Sequence, residues 1–206
     1  YDMNKRLDGD IFSKNPTVLM VTFGMNDSGY YEYNGDNAKE FGEQKYQESI
    51  KNFQQMEKRF KELPHTRIVM TGTSPYDETA QIKDNTVFKK KNETIKRIIE
   101  YQRESAARNG WEFTDWNAPM VAINQELQQK DPSFTLCGND RIHPDNDGHM
   151  VMAYLFLKAQ GFAGKDVANM EINANKKQAV KAEGCTISNI KKIGKDISFD
   201  YLAEAL

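Results

Sequence analysis

The 206-residue chain has only two cysteines, no long apolar run and no marked excess of charge of one sign. Lysine and arginine number 28 against 30 aspartates and glutamates, so the chain has no overall basic field that would hold nucleic acid. The longest clear apolar runs, such as residues 18–23, are far too short to span a membrane, and residues 1–10 have no apolar signal core. Cys137 and Cys185 could pair only in an oxidising compartment. The composition therefore favours one globular domain with room for a small appendage.

The most unusual stretch of the sequence is 135–157, where a polar loop bearing aspartate and histidine runs directly into an apolar helix. Asp140 and His143 are close enough in sequence for their side chains to lie on one side of the backbone. Such a carboxylate can accept a hydrogen bond from one imidazole nitrogen, so that the other nitrogen takes a proton from a nucleophile. The following helix is expected to be buried, with Asp147 as its N-cap and Gly161 as its C-terminal stop.

Two other interpretations of this loop are open at this point. Residues 145–148 have the composition of a plain turn and helix cap. Asp140, His143, Asp145 and His149 could instead bind a transition metal, although their spacing matches no common ligand motif. The choice depends on the rest of the chain.

Strand and helix patterns alternate along the chain, which predicts an α/β layered fold with a parallel sheet. Residues 1–14 have the pattern of the tail of a helix, before a break at Asn15 and Pro16. Short runs rich in apolar residues predict three strands, at 17–23, 67–75 and 111–116. Apolar residues three and four positions apart predict three further helices, at 42–63, 86–109 and 118–129. The first strand should be buried on both faces, as in the middle of a parallel sheet.

Polar segments follow the first two predicted strands, GMND at 24–27 and SPYD at 74–77. Because ligands bind outside the carboxyl ends of parallel strands, both segments should open onto the same rim as the aspartate and histidine loop. An aromatic loop that includes Tyr30, Tyr31 and Tyr33 is of the kind that lines a cleft and could stack on a sugar.

Two further segments have the character of loop and appendage. A polar loop is expected from Tyr76 to about Asn85. The domain is expected to span 1–164, and the short β-leaning pieces at 165–206 predict a small β appendage or the start of a C-terminal module.

GMND at 24–27 and DRIHP at 140–144, in this order and at these places, resemble the third and fifth blocks of the SGNH, or GDSL-type, hydrolase family. The resemblance covers about residues 1–162. It implies a three-layer, flavodoxin-like parallel sheet of five strands and hydrolysis of esters through a serine nucleophile, with no cofactor. It also favours a secreted or periplasmic location and a small ester or acylated carbohydrate as substrate.

The resemblance implies a role for each residue that matches a family block. His143 would be the general base, Asp140 the carboxylate that orients it, and Asn26 a side-chain donor to the oxyanion. Gly24 would allow the backbone to turn tightly. An amide donor preorganised toward the developing negative charge is commonly worth about 10² to 10³ in rate.

The sequence departs from the family at the block that should carry the nucleophile. GDI at 9–11 imitates that block, but Ile11 stands where the serine belongs, and the glycine of the second block is also missing. Ser28 and Ser74 are conceivable substitutes, although the family uses neither position. We therefore expect the first two strands and the nucleophile to lie outside this chain.

A missing pair of strands would leave 17–23 as an uncovered apolar edge, which promotes aggregation. A preceding segment or a partner's strand is therefore expected beside it. The sequence as a whole predicts a serine-dependent acylhydrolase, such as a carbohydrate O-acetyl esterase, that is inactive as this fragment alone. The alternatives are a non-catalytic carbohydrate-binding or scaffold module on the same fold, and a metal-dependent hydrolase at Asp140 and His143.

Overall fold

The computed structural model describes residues 2–83 and 86–204 and divides into two compact units, 1–161 and 162–206. The polar loop predicted to end at about Asn85 has its last residues outside the described part of the chain.

The first unit alternates helices with parallel strands, as predicted. Its helices are α1 (Asp2–Asp10), α2 (Ala38–Phe60), α3 (Lys91–Asn109), α4 (Asn117–Leu127) and α5 (Asn146–Ala159). Its strands are β1 (Val18–Phe23), β2 (Arg67–Gly72) and β3 (Glu112–Asp115). Short 3₁₀ helices at Phe12–Lys14 and Tyr31–Asn34 fill two of the connections.

The three strands form one parallel sheet in the order β1-β2-β3, which confirms the predicted α/β fold class. The strand register places Phe23 opposite Gly72, and Gly72 opposite Asp115. All three strands therefore end at the same level, so the loops that follow them leave from one edge of the sheet. This alignment is the reason that residues far apart in sequence can share a rim.

One face of the sheet is covered by α1, α2 and α3. The main buried cluster comprises Leu7, Leu19, Val21, Phe53, Met56, Phe60, Ile68, Met70 and Ala106. Because side chains alternate along a strand, β1 contributes Leu19 and Val21 to this cluster and directs Val18 and Met20 the other way. The latter two are 51% and 45% exposed. The prediction that β1 is buried on both faces is therefore wrong for the described chain, in which β1 is an edge strand with one face covered.

Two helices, α2 and α3, begin four or more residues away from their predicted starts. Helix α2 starts at Ala38, before the predicted Gly42, which lies inside it. Helix α3 starts at Lys91 rather than at Thr86, because Lys90 has a left-handed backbone with φ of 70°. Its first turn is capped from another loop. The Glu78 carboxylate accepts hydrogen bonds from the backbone N–H groups of Lys90 and Asn92, at 2.8 and 2.7 Å.

Helix α5 differs from its prediction in cap and in burial. Its N-cap is Asp145 rather than Asp147, and the Asp145 side chain accepts a hydrogen bond from Gly148 N at 3.2 Å. The helix is also largely exposed rather than buried, with Met150 71% and Tyr154 59% accessible. It is held on one side only, by Val151, Met152 and Leu155 against a cluster of Trp116, Met120 and Leu136.

The second unit consists of two antiparallel strand pairs, which confirms the predicted small β appendage. The pairs are β4 (Asn169–Asn173) with β5 (Gln178–Glu183), and β6 (Cys185–Ile193) with β7 (Asp196–Ala203). Within its described residues only Cys185 is fully buried, so this unit has little core of its own.

We expect Phe53→Ala to destabilise the first unit strongly. Phe53 is 1% exposed and contacts the rings of Phe23 and Tyr101, at centroid distances of 5.2 and 6.0 Å. Truncation of a buried phenylalanine costs about 3–5 kcal/mol. Met150→Ala is the control, because an exposed side chain should cost no more than about 0.5 kcal/mol. Equal urea midpoints for the two variants, followed by circular dichroism, would contradict this description of the core.

Candidate active site

Asp140 and His143 form the hydrogen-bonded pair that their spacing predicts. One carboxylate oxygen of Asp140 lies 2.5 Å from His143 Nδ1. The other accepts hydrogen bonds from the backbone N–H groups of Ile142 and His143, both at 2.9 Å. The carboxylate is thus fixed to the loop and to the ring at the same time, so the imidazole has a defined orientation.

The charge of Asp140 determines the tautomer of His143. Burial raises the pKa of Asp140, but hydrogen bonds from the His143 ring and from two backbone N–H groups outweigh it, and the pKa is lowered. An ionised carboxylate only accepts hydrogen bonds, so Nδ1 must carry the proton. Among the described residues Nε2 has no hydrogen-bond partner, and the His143 side chain is 80% exposed. The ring therefore presents its basic nitrogen to solvent.

The loop that carries this pair is fastened to the segment after β2 by Asp77 and Arg141. Arg141 is 2% exposed and has a left-handed backbone with φ of 67°. Its Nη1 donates to the Asp77 carbonyl at 3.0 Å, and the backbone N–H of Asp77 donates to the Arg141 carbonyl at 3.1 Å. Sequence reasoning missed Arg141, because an arginine between Asp140 and His143 has no pattern that indicates burial.

The Asp77 side chain extends this support to α4. One of its oxygens accepts hydrogen bonds from Asn124 and Gln128, at 3.1 and 3.0 Å. The Asn124 amide oxygen in turn accepts from the backbone N–H of Leu136 at 2.9 Å. Asp77 and Asn124 are buried with these polar groups satisfied, and with the half-buried Gln128 they connect the loop to α4 and to the segment after β2.

Cys137 belongs to the same support and carries no reactive thiolate. Its thiol donates to the Pro75 carbonyl at 3.2 Å, and burial raises its pKa to about 12. Cys137 and Cys185 are both free thiols.

Two glycines allow the close approaches that this loop requires. A Cβ atom on Gly138 would lie 2.5 Å from the His143 carbonyl oxygen, and Gly138 has φ of 66°. A Cβ atom on Gly148 would lie 2.1 Å from the Leu136 carbonyl oxygen. Both contacts are with backbone, which cannot move aside as a flexible side chain would, so each position requires glycine.

Asn26 lies in a tight turn that begins where β1 ends. Gly24 has φ of 135°, which opens the turn, and hydrogen bonds from Ser28 N to Gly24 O and from Gly29 N to Asn26 O close it at 3.0 and 3.1 Å. The Asn26 side chain is exposed, and its Oδ1 accepts a hydrogen bond from the Tyr30 hydroxyl. Within the described chain Asn26 Nδ2 has no hydrogen-bond partner.

The Asn26 turn and the Asp140 loop border the same buried cluster. Met25 and Tyr30 from the turn and Ile142 from the loop all pack against it. The cluster consists of Tyr33, Tyr76, Phe88, Ile95 and Ile99. Burial, followed by the negative charges of Asp140 and Asp27, raises the pKa of Tyr30. Tyr30, which is hydrogen-bonded to Asn26, is therefore close enough to Asp140 to be affected by its charge.

Neither Ser28 nor Ser74 offers its hydroxyl to the histidine. Ser28 is 0% exposed, and its Oγ donates to the Met25 carbonyl at 2.8 Å and accepts from Lys91 Nζ at 2.6 Å. Ser74 is 7% exposed. Among residues 2–83 and 86–204, no hydroxyl is hydrogen-bonded to His143.

The described residues contain no group of three or more His, Cys, Asp or Glu side chains that could hold a metal ion. The metal interpretation of the loop thus finds no support in the arrangement of Asp140, His143, Asp145 and His149. A search of the same residues for a helix that is both long and apolar enough to cross a membrane finds none.

Solved structures with a similar fold include acetylxylan esterases and an α/β hydrolase. A variant of Axe2, described as an acetyl-xylooligosaccharide esterase from Geobacillus stearothermophilus, is 19% identical, with 80% of this chain and 68% of that chain covered and a TM-score of 0.56. LAE5, an α/β hydrolase from the metagenome of Lake Arreo, Spain, is also 19% identical, with coverage of 80% and 68% and a TM-score of 0.50. At these identities the likeness shows the fold alone.

Comparison with curated proteins finds no match. The profile of the GDSL-like lipase/acylhydrolase family, by contrast, matches residues 1–151, which include the Asn26 turn, the Asp140 and His143 pair and all three strands of the parallel sheet. The chain belongs to the GDSL-like lipase/acylhydrolase family.

Proposed function

We propose that this chain carries the general base and the oxyanion donor of a serine-dependent ester hydrolase. The observation that carries the proposal is the Asp140 and His143 pair, in which the carboxylate holds Nδ1 at 2.5 Å and Nε2 stays unpartnered among the described residues. A histidine in this state accepts a proton at Nε2 and is stabilised as an imidazolium by the carboxylate behind it. Membership of an acylhydrolase family supports the same reaction class.

The proposed reaction follows from these positions. A serine hydroxyl attacks the ester carbonyl, and His143 Nε2 removes its proton as the new C–O bond forms. Asn26 Nδ2 donates a hydrogen bond to the oxyanion. The tetrahedral intermediate collapses, and the departing alcohol takes the proton from His143. Water then attacks the acyl-enzyme by the same route and releases the carboxylic acid and the serine.

The attacking serine is proposed to lie on a segment outside residues 1–206. Ser28 is sealed beneath the Asn26 turn and Ser74 is buried, so neither can reach a bound ester. Strand β1 is an edge of the sheet, and Val18 and Met20 on its uncovered face are about half exposed. A further strand, from a preceding segment or from a partner, would cover this edge and bring its own carboxyl end to the same rim.

An O-acetyl group on a carbohydrate is the proposed substrate. The esterase of similar fold described as acting on acetyl-xylooligosaccharides supports this choice. The chain also has a surface that suits a sugar ring, because Tyr31 is 80% exposed beside the rim and is supported edge-on by Phe88 at a centroid distance of 5.4 Å.

We expect His143→Ala in the full-length protein to abolish hydrolysis of an aryl acetate, with kcat lowered by about 10³-fold or more, because the general base is lost. His149→Ala is the matched control. His149 is an exposed histidine that follows the same loop on α5, and its loss should leave kcat unchanged. Steady-state kinetics on both variants provide the measurement, and retained activity in His143→Ala would reject the assignment.

We expect Asn26→Ala to lower kcat by about 10² to 10³-fold with little change in KM, because the amide contacts the oxyanion and not the ground-state ester. Asn37→Ala is the control, since Asn37 is an exposed asparagine on the same aromatic segment. A change confined to KM would instead indicate that Asn26 only binds substrate.

A non-catalytic carbohydrate-binding module is the second candidate, because the described chain offers no accessible serine beside His143. A fluorophosphonate probe distinguishes the two. If the full-length protein is a hydrolase, one serine outside residues 1–206 is labelled, and His143→Ala slows the labelling. A folded full-length sample that remains unlabelled would favour the binding module, and labelling of Ser28 or Ser74 would refute the proposed source of the nucleophile.

A further inference from the structure

Lys91, the first residue of α3, is completely buried beneath the turn that carries Asn26. Its ammonium donates three hydrogen bonds, to the carbonyl oxygens of Met25 and Gly29 at 2.7 and 2.5 Å and to Ser28 Oγ at 2.6 Å. An ammonium has three protons, so all of them are used on this one turn. A buried lysine that donates all of its hydrogen bonds to one turn stabilises the conformation of that turn.

The same turn is closed by neighbouring hydroxyl groups. The Ser28 hydroxyl, which accepts from Lys91, donates onward to the Met25 carbonyl at 2.8 Å. The Tyr33 hydroxyl donates to the Ser28 carbonyl at 2.8 Å. Carbonyl oxygens that the turn would otherwise leave unsatisfied in the interior are thus paired, at the cost of one buried charge.

Tyr30 connects this buried charge to the exposed amide of Asn26. The Tyr30 ring has its centroid 3.8 Å from Lys91 Nζ, a cation–π distance, and its hydroxyl donates to Asn26 Oδ1. Because the amide oxygen of Asn26 accepts the hydrogen bond from Tyr30, the amide nitrogen is left to contact a ligand. An amide turned the other way would direct an oxygen toward the developing negative charge and would oppose the reaction.

We infer that Lys91 and Tyr30 are positioning residues for ester hydrolysis: Lys91 fixes the turn, and Tyr30, seated on its ammonium, orients the Asn26 amide with Nδ2 toward the reacting carbonyl. This inference rests on the proposed function for its role in catalysis, but the orientation of Asn26 can be tested without any activity.

The charge that holds the turn is sensitive to pH. Burial lowers the pKa of Lys91 to about 7, against the opposing charges of Asp27 and Glu78. The rings of Tyr30 and Tyr76 also face the ammonium, at 3.8 and 5.8 Å. The ammonium is present below the lowered pKa and is lost as the pH rises through about 7. Neutral Lys91 has two N–H groups for three acceptors, so the turn should loosen in that range.

Nuclear magnetic resonance of the full-length protein tests the orientation directly. In a His143→Ala background, which removes the imidazole of the proposed site, we expect the Asn26 side-chain amide signals to titrate with a midpoint near 7. Adding Lys91→Met should abolish this titration and change the signals, whereas Lys96→Met, which alters an exposed lysine on the same helix, should leave both as they were. Asn26 amide signals that change neither with pH nor on Lys91→Met substitution would overturn the inference.

Kinetics test whether the orientation matters for catalysis. Tyr30→Phe keeps the ring on Lys91 and removes only the hydroxyl, so it should fold normally even if Lys91→Met does not. We expect it to lower kcat about 10-fold with KM unchanged, because a small misplacement of a catalytic group is costly. In an Asn26→Ala background the same change should have no further effect, since the group that it positions is gone. Equal losses in the two backgrounds would show that Tyr30 does not act through Asn26.

The two kinds of failure can be told apart. If the full-length protein with its native residues hydrolyses no ester, the proposed function fails, while the amide signals still report whether Lys91 and Tyr30 orient Asn26. If esters are hydrolysed but Tyr30→Phe and Lys91→Met leave kcat and the amide signals unchanged, the positioning roles fail and the proposed function stands.

Discussion

The reciprocal hydrogen bonds between Asp77 and Arg141 are the contact on which the geometry of the site depends. The Arg141 side chain donates to the Asp77 carbonyl at 3.0 Å, the Asp77 backbone N–H donates to the Arg141 carbonyl at 3.1 Å, and both residues are buried. Together with the hydrogen bonds from Leu136 to Asn124 and from Cys137 to Pro75, they hold the loop from the interior. Asp140 and His143 can therefore be exposed to solvent and still have a fixed orientation, because the loop that carries them is held from the interior.

Much of the fold could be predicted, because hydrophobic pattern determines which elements form. The apolar runs of β1 and β2 and the apolar stripes of α2 and α3 all contribute side chains to the main buried cluster of the first unit. The sequence-based predictions failed where the start or the burial of a helix depends on the rest of the fold. Helix α3 begins at Lys91 because Glu78, from another loop, caps it there, and α5 is apolar yet largely exposed.

In the candidate site, too, the local contacts could be predicted and the long-range contacts could not. Asp140 and His143 are three residues apart, so their pairing is local and could be read from the sequence. The supports of the site are not local: Arg141 and Lys91 are charged residues that the sequence gives every reason to place on the surface, and each is buried by contacts with residues far away in the chain. A charge that is buried by contacts with distant parts of the chain leaves no local signature in the sequence.

Gly138 and Gly148 limit which substitutions the Asp140 loop can accept. Each lies against a backbone carbonyl with no room for even a methyl group, and between them they enclose the Asp140 and His143 pair. Any side chain at either position would therefore distort the loop, so variation of this loop is confined to its other residues. In the 3₁₀ segment at Tyr31–Asn34 only Tyr33 is buried, so the exposed side chains of that segment can be varied without displacing Asp140 and His143.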